Sequence, residues 1–366
     1  MKSILDSVKL GKLSLANRIV RSATYEGMAK DTGEITPQLL KIYSDLAANK
    51  IGLIITSGAY IMSEGKGMPG MLGIHDDSLI NGYRQLTDQV HLCGGKIIMQ
   101  LIFCGTQGFI DVPNVYSPSA VPEKLTRRTG KAMRMEDIGL LREAFVDAAA
   151  RAKKAGFDGI EIHSSAGFLL SQFLTPYYNR RNDAYGGGVE NRARLLFEIC
   201  DAIREKVGEE FVVLVKINCA DFIEEGFSFE DSVYVCSQLV SKNVDAIEIT
   251  GGIAAVREIT SVRKDILSPG QESYFAEHAA KIAAEVSVPV ILDGGNRSLE
   301  VMNQLVNQTN ISFFAMCRPF IAEPGLVSRW YEGDTRKARC ISCNKCSSFC
   351  GTYCKNFVTT QENGWK

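Results

Sequence analysis

Eight short runs rich in β-branched residues recur along the chain, and the stretches after them carry helical periodicity. This alternation limits the available folds more than any other feature. The runs are RIVRSAT from Arg18, GLIITSGAY from Gly52, KIIMQLI from Lys96, FDGIEIH from Phe157, FVVLVKIN from Phe211, VDAIEIT from Val244, VPVILDGG from Val288 and ISFFAMCR from Ile311. Near-continuous apolar runs suit parallel strands buried on both faces. MEDIGLLREAFVDAAARAKKAG from Met135 and SLEVMNQLVNQ from Ser298 instead place apolar residues at three- and four-residue steps, as amphipathic helices do. Eight β-then-α units predict the α/β class and a closed (β/α)8 TIM barrel, because open doubly wound sheets usually alternate fewer strands and end on an edge. The barrel is placed at residues 1–335, followed by a short Cys-rich tail at 336–366. After the third strand, the stretch from Phe103 to Met135 is too long for a plain connection and reads as a lid-like insertion over the barrel mouth.

A length of 366 residues suits one such barrel. Lysines and arginines number 41 against 42 acids and are dispersed among them, so no basic field draws a polyanion and nucleic acid is not an expected partner. Small-molecule chemistry fits better. The opening MKSILDSVKLGKL lacks the apolar core of a signal peptide, and no later stretch is long enough to span a bilayer. The expected location is the cytoplasm, with no membrane partner and with self-association into a homo-oligomer left open.

In barrels of this kind chemistry sits at the carboxyl ends of the strands, and a phosphate often lies between the loops after strands seven and eight. Here the seventh run ends in Asp293-Gly294-Gly295-Asn296-Arg297-Ser298, whose glycines let backbone N–H groups approach phosphate oxygens at a helix start. The eighth ends in Cys317-Arg318-Pro319, where the Arg318 guanidinium offers a forked, permanent charge. Together they predict a phosphate site at Gly294, Gly295 and Arg318.

Five of the eleven cysteines fall between Cys340 and Cys354. Cys340, Cys343, Cys346 and Cys350 form a C-x-x-C-x-x-C-x-x-x-C run, the spacing of bacterial iron–sulfur segments, with Gly351 in place of the usual proline. The readings are a [4Fe–4S] cluster, tetrathiolate zinc, or metal-free thiols.

Several motifs resemble the old yellow enzyme family of NADH:flavin oxidoreductases over residues 1 to 335. These are the segment AGFDGIEIHSSAGFLLSQFLTPYYNRRNDAYGGGVENRARLLFEI, LANRIVRSAT near the start, Gln100-Leu101, Ser117-Pro118-Ser119-Ala120 and Arg318-Pro319. The resemblance implies FMN across the barrel mouth and NADH or NADPH as reductant. It places main-chain groups of Ala23, Thr24 and Gly58 along the flavin ring, Gln100 at its pyrimidine edge and Lys216 beside N1 and O2, where a cation stabilises the reduced, anionic flavin. His163 takes the place of the first of two residues that hydrogen-bond a substrate carbonyl oxygen, making the β-carbon of an alkene electrophilic.

The chain departs from that pattern at the second carbonyl-binding residue, which is Ala166, and at the usual proton-donating tyrosine, which is Phe168. Neither side chain can donate a hydrogen bond. The His-Ala-Gly-Arg pattern near strand three becomes Phe103-Cys104-Gly105-Thr106. Tyr25, Tyr60, Tyr177 and Tyr178 are candidate replacements for the proton donor, Tyr25 and Tyr60 foremost, with solvent as a further source. The expected activity is hydride transfer from NAD(P)H through the flavin to a small unsaturated molecule. The competing reading is a flavin and iron–sulfur electron carrier for a separate protein. Relatives such as 2,4-dienoyl-CoA reductase carry a cluster after the barrel and then a nucleotide-binding domain. The chain here ends at Lys366, so that domain is expected to be missing.

Overall fold

A computed structural model describes residues 1–256, 259–346 and 351–357. Eight parallel strands close into a barrel: β1 (Ile19–Arg21), β2 (Leu53–Ile55), β3 (Ile97–Ile102), β4 (Gly159–Ser164), β5 (Val212–Asn218), β6 (Ala246–Thr250), β7 (Val290–Asp293) and β8 (Ile311–Met316). Phe314 of β8 registers with Ile19 of β1, which completes the ring. Each of the eight predicted runs contributes its strand. The runs are apolar at successive positions because one face fills the barrel and the other meets the helices.

The helices include α1 (Pro37–Ala48), α2 (Ile80–Leu92), α3 (Met135–Lys154), α4 (Arg194–Val207), α5 (Phe229–Val240), α6 (Ala276–Glu285), α7 (Leu299–Gln308) and α8 (Leu326–Tyr331), with shorter ones at Leu169–Leu174, Val189–Arg192 and Arg318–Ala322. In α3 the buried face runs through Ile138, Leu141, Phe145, Ala148 and Ala152, the predicted three- and four-residue steps. At its start the Asp137 carboxylate accepts from the Arg134 N–H at 2.8 Å, and its last turn carries Arg151, Lys153 and Lys154, the charge order a helix dipole favours. Ser228 caps α5 by accepting from Asp231 N at 3.1 Å.

Two cores result. One lies between strands and helices; the other fills the barrel with Val20, Leu53, Ile98, Leu214, Ile291 and Phe313, joined by Leu10 and Leu15 of a hairpin that precedes β1. With one end packed, the open mouth is at the carboxyl ends of the strands.

The insertion between β3 and α3 is tied to the fourth unit: Gln172 Nε2 donates to Thr106 Oγ1 at 2.8 Å and Arg181 Nη1 to the Pro118 carbonyl at 2.9 Å. No residue of 103–135 is among those that line the mouth cavity. The tail reaches that mouth. Ala338 N donates to the Arg297 carbonyl at 2.9 Å, and Thr352 N and Oγ1 donate to the carbonyls of Glu26 (2.9 Å) and Tyr25 (2.7 Å). Among the described residues no helix is long and apolar enough to cross a membrane.

Candidate active site

A cavity of 460 Å³ opens at the carboxyl ends of the strands. Of the residues singled out in the sequence, it brings together Ala23, Thr24, Tyr25, Gly58, Gln100, His163, Lys216, Gly295, Arg318, Cys340 and Cys346. Gly294 stands behind Gly295. Both have positive φ, 128° and 80°, and a Cβ on either would fall 2.6–2.8 Å from Tyr274 or Phe275, so the turn needs glycine at both places. Asn296 ties the turn down, its Nδ2 donating to the carbonyls of Leu292 (2.7 Å) on β7 and Ala315 (2.9 Å) on β8.

Lys216 meets more partners than the sequence suggested. Its Nζ donates to Ser22 Oγ (2.9 Å), Glu248 Oε1 (2.6 Å) and Asp293 Oδ2 (2.9 Å), which engages all three ammonium hydrogens with the protein itself. Burial works against its charge, but Asp293, Glu248 and Glu161 outweigh burial and hold the ammonium above the ordinary lysine range. Gln100 Nε2 donates to Glu161 Oε1 at 2.7 Å. A Cβ on Gly58 would lie 3.1 Å from Gln100 Oε1 and 2.9 Å from Ile102, so glycine there lets the segment after β2 approach the Gln100 amide.

His163 lies at the carboxyl end of β4, one residue before its last, with its ring edge-on to Phe168, centroids 5.0 Å apart. Nδ1 lies 3.5 Å from Ser165 Oγ, and Nε2 is buried with no protein partner. Burial, helped by the Lys216 charge, lowers its pKa to about 3, so the ring is neutral near pH 7 and has one N–H to donate. Ala166 lines the cavity beside it in the left-handed region, φ 58°, with its N–H on Asn218 Oδ1 at 3.1 Å.

The tyrosines part company. Tyr25 lines the cavity and its hydroxyl donates to the Pro69 carbonyl. Tyr60 does not line it: its ring stacks on His75 at 4.9 Å and burial pushes its hydroxyl up to about 12. The Tyr178 hydroxyl is committed to Glu123 at 3.2 Å. Apolar wall comes instead from Met68, Met71, Ile102 and Phe168, and the tail adds Ser342, Asn344 and Thr352. No sequence motif marks Met68, Met71 or these tail residues as part of the mouth. Arg318 donates to the Arg263 carbonyl (2.7 Å) and Asn344 Oδ1 (2.5 Å), and the nearby Arg297, also in the lining, to the carbonyls of Ile266 and Ala338. Cys340, Cys343, Cys346 and Cys354 border a second, small cavity beside Arg318; Cys350 lies outside the described residues. Among the described residues no three His, Cys, Asp or Glu side chains are grouped closely enough to hold one metal ion.

Barrel and mouth together define a class: a (β/α)8 protein whose strand ends gather a glycine turn, two arginines, a buried cation and an imidazole with one unpartnered nitrogen around one cavity. The chain belongs to the NADH:flavin oxidoreductase / NADH oxidase family, whose profile it matches over residues 3–336. It is 32% identical to a metal reductase of Desulforamulus reducens over 94% of this chain and 51% of that one. It is also 32% identical to an NADPH dehydrogenase of Bacillus subtilis over 80% and 85% of the two chains. Among solved structures, 2-naphthoyl-CoA reductase with bound 2-naphthoyl-CoA superposes with a TM-score of 0.85 at 25% identity, over 92% of this chain and 54% of that one. The chain therefore spans about half the length of several relatives it matches.

Proposed function

We propose that the chain holds FMN at the barrel mouth and works as an NAD(P)H-dependent reductase of an activated carbon–carbon double bond. The observation that carries this reading is His163: a neutral imidazole, buried in the cavity lining, with one nitrogen left without a protein partner. An orphaned polar atom in such a place calls for a ligand.

The residues present fit FMN. Main-chain groups of Ala23, Thr24 and Gly58 would follow the ring, Gln100 its pyrimidine edge, and the Gly294–Gly295 turn with Arg318 the phosphate. Lys216 would act by its charge, since its three hydrogens are already engaged. Bound there, FMN would supply a two-electron carrier between nicotinamide and substrate. His163 donates to the substrate carbonyl oxygen and draws electron density from the alkene. Ala166 supplies no second side-chain donor, so the substrate must be activated by its own structure, as a thioester or an extended conjugated system is. The naphthoyl thioester bound by the similar reductase belongs to that class. Protonation falls to Tyr25, on leaving Pro69, or to solvent.

A second reading rests on the tail. The donor set for a [4Fe–4S] cluster would be Cys340, Cys343, Cys346 and Cys350, and what supports it is that Cys340, Cys343 and Cys346 border one small cavity beside the mouth, together with Cys354. A cluster there would make the chain an electron carrier between flavin and a separate protein. Anaerobic purification tests both readings. Flavin absorption bleached by NADH or NADPH supports the reductase; flavin reduced only by a partner protein supports the carrier; colourless protein rejects both. About four iron per chain identifies the cluster.

A further inference from the structure

The mouth cavity and the small Cys-lined cavity share a wall made of Arg318, Ile321, Cys340, Asn344 and Cys346. Asn344 stands in that wall where three segments cross. It lies on the tail in the left-handed region, φ 58°, a conformation that asparagine adopts more readily than most residues with a side chain. Its Oδ1 accepts from Arg318 Nη1 at 2.5 Å, and its Nδ2 donates to the Val262 carbonyl at 2.9 Å. A guanidinium only donates and a carbonyl only accepts, so the two partners fix which way the amide points.

Both ends of the amide lead to the proposed phosphate site. Arg318 Nη1 has a second neutral acceptor, the Arg263 carbonyl at 2.7 Å. Among the described residues the guanidinium is thus held at one corner by two uncharged oxygens, which orient it without pairing its charge and leave Nε and Nη2 for an anion. At the other end, Val262 follows Ser261, whose carbonyl accepts from the Tyr274 hydroxyl at 2.6 Å. Tyr274 N in turn donates to the Gly294 carbonyl at 3.1 Å, and the Tyr274 ring fills the space beside Gly294 and Gly295. One tail amide therefore fastens Arg318 to the loop that backs the glycine turn.

We propose that Asn344 is a positioning residue that aims the unpaired Arg318 charge at the phosphate of the bound flavin, which makes the tail a working part of the flavin site. The proposal rests on the flavin reading above. Its physical content is that the amide supplies orientation and the guanidinium supplies the contact, so the benefit of Asn344 exists only while Arg318 is present and only for a ligand that carries a phosphate.

Fluorescence titration of the flavin-free full chain tests this, with FMN and with riboflavin, which lacks the phosphate. Asn344→Gly suits the left-handed backbone and removes the amide, so FMN should bind about tenfold more weakly while riboflavin stays within about twofold of the parent. Asn344→Asp keeps an acceptor for Arg318 but pairs its charge, so FMN should weaken by roughly tens of fold with riboflavin again unchanged. A merely structural role would move both flavins together. In the double variant Arg318→Ala/Asn344→Gly, FMN should bind no more weakly than in Arg318→Ala alone. Should Asn344→Gly misfold, Asn344→Asp decides with the same two flavins. FMN bound by Asn344→Gly as tightly as by the parent overturns the proposal, as do equal losses for FMN and riboflavin, or additive losses in the double variant. A parent that binds neither flavin overturns the flavin reading itself. FMN binding that Arg318→Ala leaves unchanged overturns the phosphate assignment, and the role of Asn344 with it, while the flavin reading stands.

Discussion

Replacing Ala166 with asparagine tests the site's chemistry and its backbone in one step. Ala166 sits at φ 58° and lines the cavity next to His163. A side-chain-bearing residue in the left-handed region costs roughly 1–2 kcal/mol, and asparagine is among the few that tolerate it through local hydrogen bonding. Ala166→Asn should therefore recover about 1 kcal/mol, a rise in Tm of about 1–2 °C for a chain of this size. The new amide also puts a second donor beside His163 Nε2. One preorganised donor at a developing oxyanion is worth roughly a hundredfold or more in rate. Simple cyclic enones, which the parent should reduce poorly, should then reoxidise the NAD(P)H-reduced variant about a hundredfold faster. The assay is anaerobic stopped-flow of that half-reaction beside a thermal melt. A variant that melts no lower than the parent but reduces enones no faster would refute the view that a missing donor limits this site.

Arg318→Ala removes a charge-assisted contact worth roughly 1.5–3 kcal/mol, so FMN should dissociate tens of fold more readily; unchanged affinity by fluorescence titration would move the phosphate elsewhere. Gly295→Ala forces a Cβ to 2.6 Å from Tyr274 at φ 80°, which should cost about 1–3 kcal/mol in denaturant unfolding and weaken FMN retention. The folded pKa of His163, about 3, lies below its ordinary 6.5. Reoxidation by alkene should therefore show no inflection near 6.5. By linkage this group's stabilising effect is present above 6.5 and is lost as pH falls toward 3, a fall that His163→Gln should lessen in pH-dependent melts.

All eight strands were legible because burial on both faces leaves uninterrupted apolar runs, and the glycine turn after β7 was legible because positive φ selects glycine. What local pattern could not carry was contact between distant segments. Thr352 bonding to Tyr25 and Glu26, and Met68 and Met71 walling the cavity in place of the long insertion, depend on loop paths that periodicity does not encode. Tyr60 closes the second apolar run, GLIITSGAY. It belongs to the short strand Ala59–Tyr60, which pairs with β3, and its ring turns to His75 instead of the mouth. The partners of Lys216 did leave a signal: the matching glutamates of DGIEIH and DAIEIT fall in strands four and six, either side of the lysine strand. Reading the runs as rungs of one closed barrel would have placed acid beside Lys216.

The central claim is that reducing equivalents pass from NAD(P)H through flavin at this mouth to an alkene activated by His163. Stopped-flow measurement of both half-reactions in His163→Ala tests it most directly. Reduction of the flavin by NAD(P)H should proceed nearly as in the parent, while reoxidation by the best alkene should slow about a hundredfold. Reoxidation as fast in His163→Ala as in the parent would contradict the account.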